Sequence, residues 1–246
     1  MRLLEDDIRL LRACVDVAAV GGAPPRVAPS ARVPGWPVGR RGNVVLQSET
    51  AVELGGPQQE SVALLLWTAQ VDLIRNGLIT VVGPDLRESV GGHLPFGKAV
   101  ILGVEGFDEG NCVERHRELE LLRYELNLDG YMMRGSSLQG KEWGRVSRRA
   151  VEGGFSLETL AAGSMRLYRS IPYVLAVEVI VVTSSREAVR SLTPIGDMAS
   201  RRIRALDKMA TEPSRECDDC DFNDVCSEVD DLRSRRSTPR ERMSHV

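Results

Sequence analysis

Aromatic residues make up only 4% of the chain, too few for the stacking platforms on which proteins hold single-stranded nucleic acid. Neither sign of charge dominates: 32 Lys and Arg stand against 35 Asp and Glu, a formal net charge of −3. That balance supplies no long-range pull toward nucleic acid or anionic membranes, and neither is expected as a partner. No apolar run approaches the roughly 20 residues of a membrane-spanning helix. The N-terminus, MRLLEDDIRLLRACVDVAAV, has acids at Glu5, Asp6 and Asp7 where a secretory signal would have a basic start and an apolar stretch. A cytoplasmic location is therefore expected. Cysteine is also scarce, at 5 in 246 residues. Three of them cluster near the C-terminal end, a pattern that suits a metal site better than a disulfide framework.

What is present suffices for a folded core, since 42% of the residues are hydrophobic. Leu4, Ile8, Leu11, Val15 and Ala18 follow at three- and four-residue steps, which predicts a helix over residues 1–20. Residues 21–42 hold five prolines and five glycines and read as a linker or extended arm. Strand-like runs follow at 43–47, 61–68, 78–82 and 98–105, with Asn76-Gly77 as a turn signal. Residues 109–128 have an apolar stripe through Val113, His116, Leu119, Leu122 and Leu126, opposite a charged face. Residues 142–147 read as a short strand. Ser156 reads as the cap of a helix over 157–170, and VLAVEVIVV within 173–183 is the strongest strand. Residues 185–210 read as helical with a break near Thr193-Pro194. Strands and helices alternate without a regular βαβ rhythm, which predicts an α+β fold: a mixed sheet packed with helices, an N-terminal helix on a Pro/Gly-rich arm and a small C-terminal cysteine motif. The expected units are 1–42, 43–192, 193–231 and a polar tail at 232–246.

The sharpest local motif is Cys217-x2-Cys220-x5-Cys226. A tight turn can aim the first two sulfurs at one centre and the third can close on it, and thiolates favour zinc or iron–sulfur clusters. Four ligands are usual. Cys112 is the first choice for the fourth, ahead of Cys14, His116 or a residue from a partner. Three grouped cysteines with one distant partner suit a 4Fe–4S cluster better than structural zinc, which usually has two complete ligand pairs; zinc stays as the alternative.

Several segments, taken in order, resemble a known family. They are Val52-Glu53-Leu54-Gly55-Gly56-Pro57, Val81-Val82-Gly83-Pro84-Asp85-Leu86, Leu94-Pro95-Phe96-Gly97-Lys98 and Trp143-Gly144-Arg145-Val146-Ser147-Arg148-Arg149-Ala150-Val151-Glu152-Gly153-Gly154-Phe155, continuing through residues 177–183. Over about residues 50–190 this series resembles the acetyl-CoA synthase family, the β subunit of acetyl-CoA decarbonylase/synthase. The resemblance implies an α+β module associated with coenzyme A. In that family an arginine two residues after a tryptophan is implicated in holding the nucleotide, which here implies Trp143 and Arg145. The chemistry agrees: a guanidinium pairs with phosphate oxygens and an indole face can stack on adenine. Arg148, Arg149 and Arg134 lie near in sequence and would add to a phosphate patch. The chain departs from the family in its cysteines. The gap before Cys226 is five residues where the family has eight, no cysteine follows, and the Cys-Gly-Cys nickel site is missing, so acetyl-CoA synthesis by this chain is not expected.

The remaining candidates read as structural. Gly55-Gly56-Pro57 and Gly91-Gly92 lack phosphate-loop spacing and are expected to be turns. His93 and His116 are isolated, and nothing in the sequence pairs Glu53 or Asp85 with a second catalytic group. The expected function is an accessory or binding subunit that binds coenzyme A or an acyl-CoA, carries an iron–sulfur cluster and works with a protein partner or as a homo-oligomer. Two alternatives stand beside it: an enzyme using an open-site cluster on a coenzyme A thioester, and a zinc-binding structural or regulatory module.

Overall fold

The computed structural model describes residues 2–20, 24–40, 43–56, 59–137, 140–211 and 221–228. Along these the chain forms α1 (Glu5–Ala19), β1 (Arg26–Pro29), β2 (Thr50–Leu54), β3 (Ser61–Thr68), β4 (Leu78–Val82), β5 (His93–Leu94), β6 (Phe96–Val104), α2 (Cys112–Leu122), β7 (Tyr131–Ser137), β8 (Lys141–Ser147), α3 (Arg148–Glu152), α4 (Leu157–Arg169), β9 (Val174–Val182), α5 (Arg186–Arg190), α6 (Thr193–Thr211) and α7 (Asn223–Glu228). The fold is α+β, as expected.

The strands form two mixed sheets. One has the order β1-β4-β9-β6-β3 and the other β5-β2-β8-β7. In the first, β6 pairs parallel to β3 and antiparallel to β9, and β9 pairs parallel to β4. Every residue of β6 is buried and all but one of β9, so both strands read as continuous apolar runs, as strands covered on both faces do. α4 packs along β9 and β4, while α1 and α6 pack against β3. Ser156 does cap α4, its Oγ accepting from the Thr159 amide, and Gly77 takes a φ of +82° at the Asn76-Gly77 turn.

The N-terminal residues enter the body of the molecule. Leu3, Leu4, Ile8, Leu11 and Val15 belong to the main core cluster. β1, from the Pro/Gly-rich stretch, lies antiparallel to β4 at the sheet's edge. Residues 43–47, expected to be a strand, form an extended loop entering a 3₁₀ turn over Gln47–Glu49; the strand begins only at Thr50. Val44 and Leu46 point into solvent, so the apolar run has no sheet to join.

Charged groups tie these elements together inside the core. The Arg12 guanidinium of α1 donates to Glu178 of β9 at 2.7 Å, and Glu178 also accepts the Arg75 amide at 3.0 Å. Asp7 of α1 pairs with Arg202 of α6. Lys98 of β6 reaches Glu142 of β8 at 2.5 Å and so joins the two sheets.

Candidate functional site

β8 alternates its side chains between the interior and a surface cleft. Glu142, Gly144 and Val146 are buried, and Trp143 and Arg145 are half-buried on the other face. In the antiparallel pairing of β2 and β8, Glu53 stands directly opposite Arg145. The Glu53 carboxylate therefore meets both outward side chains. One oxygen accepts from Arg145 Nε and the other from the Trp143 indole N–H at 3.1 Å. This arrangement fixes the orientation of both groups and leaves the terminal nitrogens of Arg145 with no partner among the described residues.

These three residues line a cleft of about 620 Å³ together with Thr50, His93 and Arg148. Its floor and rim need glycine. Gly56 has a φ of +96°, and a Cβ there would sit 2.8 Å from Trp143 Nε1, so the indole packs directly on bare backbone. Gly92 has a φ of +72°; its carbonyl accepts the Glu53 amide at 2.8 Å, and a Cβ would come within 2.9 Å of the Ala51 carbonyl. Arg148 opens α3, whose first turn is capped by Ser147 Oγ accepting from the Ala150 amide. The Arg134 guanidinium lies over the Trp143 ring, 5.0 Å from its centroid. A planar ligand approaching that face would stack on or displace Arg134, which is exposed.

On the buried face of the same strand, Glu142 has no exposure and accepts from Lys98 Nζ at 2.5 Å and Tyr131 OH at 3.3 Å. Burial, with the neighbouring carboxylate, pushes the Tyr131 hydroxyl well above its ordinary pKa, so it remains a donor. The Ser61 hydroxyl holds the Glu142 backbone at both its amide and its carbonyl. The strand that carries Trp143 and Arg145 is thus anchored from behind.

Of the five residues expected to hold a ligand, Trp143, Arg145 and Arg148 come together in the cleft and Arg134 joins through the indole. Arg149 is exposed on α3 and is not among the lining residues. His93, Gly55 and the Gly91-Gly92 pair are turns or strand ends, yet they line this cleft, and Gly56 backs the Trp143 indole. Glu53 is the residue that sequence reasoning left without a role; it is found only once β2 is paired with β8. Asp85 is structural. Its carboxylate accepts from the Leu86 and Leu157 amides, and burial raises its pKa.

Of the expected metal ligands, Cys217 and Cys220 lie outside the described residues. Cys226 on α7 and Cys112 at the start of α2 are both buried. Among the described residues, no group of three or more His, Cys, Asp or Glu side chains is placed to hold a metal ion. α2 and α6 run antiparallel. Arg117 of α2 bonds Asp207 near the end of α6 at 2.8 Å, and Glu120 further along shares a small cavity with Ala199 and Ser200. His116 is held as the neutral imidazole. It is buried, its pKa is pushed down to about 4 by desolvation and then by Arg123 and Arg117, and its Nδ1 has no hydrogen-bond partner among the described residues.

No helix among the described residues is long and apolar enough to cross a membrane. No curated protein matches the chain. The family model of the CO dehydrogenase/acetyl-CoA synthase complex beta subunit matches residues 38–189, well over half of the sequence and the whole of the cleft. The chain belongs to the CO dehydrogenase/acetyl-CoA synthase complex beta subunit family.

Proposed function

We propose that this chain is an acetyl-CoA-synthase-like accessory subunit that binds coenzyme A or an acyl-CoA in the cleft of Trp143, Arg145 and Arg148 and carries an iron–sulfur cluster. The observation that carries the reading is the Glu53 carboxylate bridging Trp143 and Arg145. It holds an indole and a guanidinium ready on one face of β8, the two groups that adenine and phosphate require. Arg148 in the same cleft adds a second guanidinium, and Arg134 over the indole supplies a third at the rim. Cys217, Cys220 and Cys226 would hold the cluster, with Cys112 as the fourth ligand. The family is one of complex subunits, which supports a protein partner. None of the five cysteines stands in a Cys-Gly-Cys run, so we assign the chain no nickel site.

Titration of coenzyme A into the protein by calorimetry tests the cleft; saturable heat supports the reading and its absence removes coenzyme A from it. Anaerobic purification tests the cluster. Brown protein with iron and sulfide supports it, and colourless protein with one zinc per chain returns the cysteines to a structural role.

A further inference from the structure

Among the described residues that line the cleft Glu53 is the only carboxylate, and it lies against the positive groups a phosphate would seek. Its partners are the Nε edge of Arg145 and the Trp143 indole N–H. The cleft's other charges are Arg145 and Arg148, and His93 faces Glu53 across the parallel β2–β5 pairing. One of the two guanidinium charges is thus offset before any ligand arrives.

From this arrangement we infer that Glu53 is a specificity-determining residue, which limits how much negative charge the cleft accepts. The inference deepens the coenzyme A reading and rests on it for the identity of the natural ligand. A ligand that places one isolated phosphate, such as the 3′-phosphate of coenzyme A, against the terminal nitrogens of Arg145 gains a charged pair without meeting the carboxylate. A chain of phosphates brings further charge near Glu53 and is repelled in proportion. Glu53 also sets the aim of Arg145. Held at Nε, the guanidinium keeps its two terminal nitrogens clear of Glu53, a fork matched to a single phosphate.

The test compares tripolyphosphate, orthophosphate and coenzyme A as titrants of the full chain and of Glu53→Gln, Glu53→Asp and Glu53→Ala. The unaltered protein should bind tripolyphosphate no more than about threefold tighter than orthophosphate. Removing one charge several ångströms from the ligand, where the Arg145 and Glu53 side chains are only 11% and 14% exposed, is worth about tenfold per ligand charge. Glu53→Gln should therefore gain at least about a hundredfold on tripolyphosphate and only about tenfold on orthophosphate. Glu53→Asp, which keeps the charge, should preserve the native ranking. Glu53→Ala serves in place of Glu53→Gln if the latter does not fold. A merely structural role would lower affinity for both anions together and leave their ratio unmoved; that result, or no anion binding by any variant, overturns the inference. If the anion ranking behaves as stated but coenzyme A gives no heat, the coenzyme A reading falls and the role of Glu53 stands.

Discussion

Gly56, Glu53 and Arg145 carry most of what the cleft can do. Gly56 is constrained twice, by its φ of +96° and by the indole 2.8 Å from where a Cβ would stand. Gly56→Ala should cost about 1–3 kcal/mol from the backbone alone and push Trp143 out of its hydrogen bond with Glu53. Urea unfolding reads the first effect, and the loss of coenzyme A affinity in calorimetry reads the second. The glycines were legible as turns, because Gly-Gly pairs mark positive φ. Glu53 was not legible as a site residue, because its partners lie 90 and 92 positions away in the chain and meet it only through strand pairing. Trp143 and Arg145 were legible through the family resemblance, and their spacing of two on one strand puts both on one face.

At the scale of elements, the link from β6 to β8 is the joint on which the cleft depends. Lys98 and Glu142 are both buried, so removing one partner leaves an uncompensated charge in the interior. Lys98→Met should destabilise the fold by about 3–5 kcal/mol, whereas Lys98→Met with Glu142→Leu should recover most of the loss. Equilibrium unfolding of the single and double variants measures both. If the double variant were no better than the single, the ion pair would not be what holds the sheets. Strong elements were legible from pattern: α4 with its Ser156 cap, the apolar run of β9, and the break before Thr193. The short strands β1, β2, β5 and β7 were not. β5 has two residues, and β1 lies in a proline-rich stretch that reads as a linker. Their pairing comes from neighbours supplied by distant chain, which no local window contains. α1 was legible as a helix but not as a core element, because its link to α6 is the buried Asp7–Arg202 pair across 195 positions.

At the scale of the whole molecule, two buried groups give stability an opposed pH dependence. His116 is held neutral, its pKa lowered from 6.5 to about 4. Between those values the unfolded chain binds the extra proton, so this group makes stability rise as pH rises. Asp7 is raised from 3.8 to about 6, because burial outweighs the attraction of Arg202. Between those values the folded chain binds the extra proton, so this group makes stability fall as pH rises. Each shift of about two units corresponds to roughly 3 kcal/mol, and the two nearly cancel between pH 4 and 6. Asp7→Asn should expose a steep loss of stability on acidification below pH 6.5, and His116→Gln should flatten or reverse it, as followed by thermal unfolding across that range. Equal slopes in both variants would refute the assignment. Binding of coenzyme A in the cleft is tested most directly by a calorimetric comparison of the unaltered protein, Arg145→Ala and Arg149→Ala. Loss of the Arg145 guanidinium should weaken binding by about 1–3 kcal/mol, the usual worth of a charged hydrogen bond, while Arg149→Ala should leave the affinity nearly unchanged. Equal affinities for all three proteins would contradict the account.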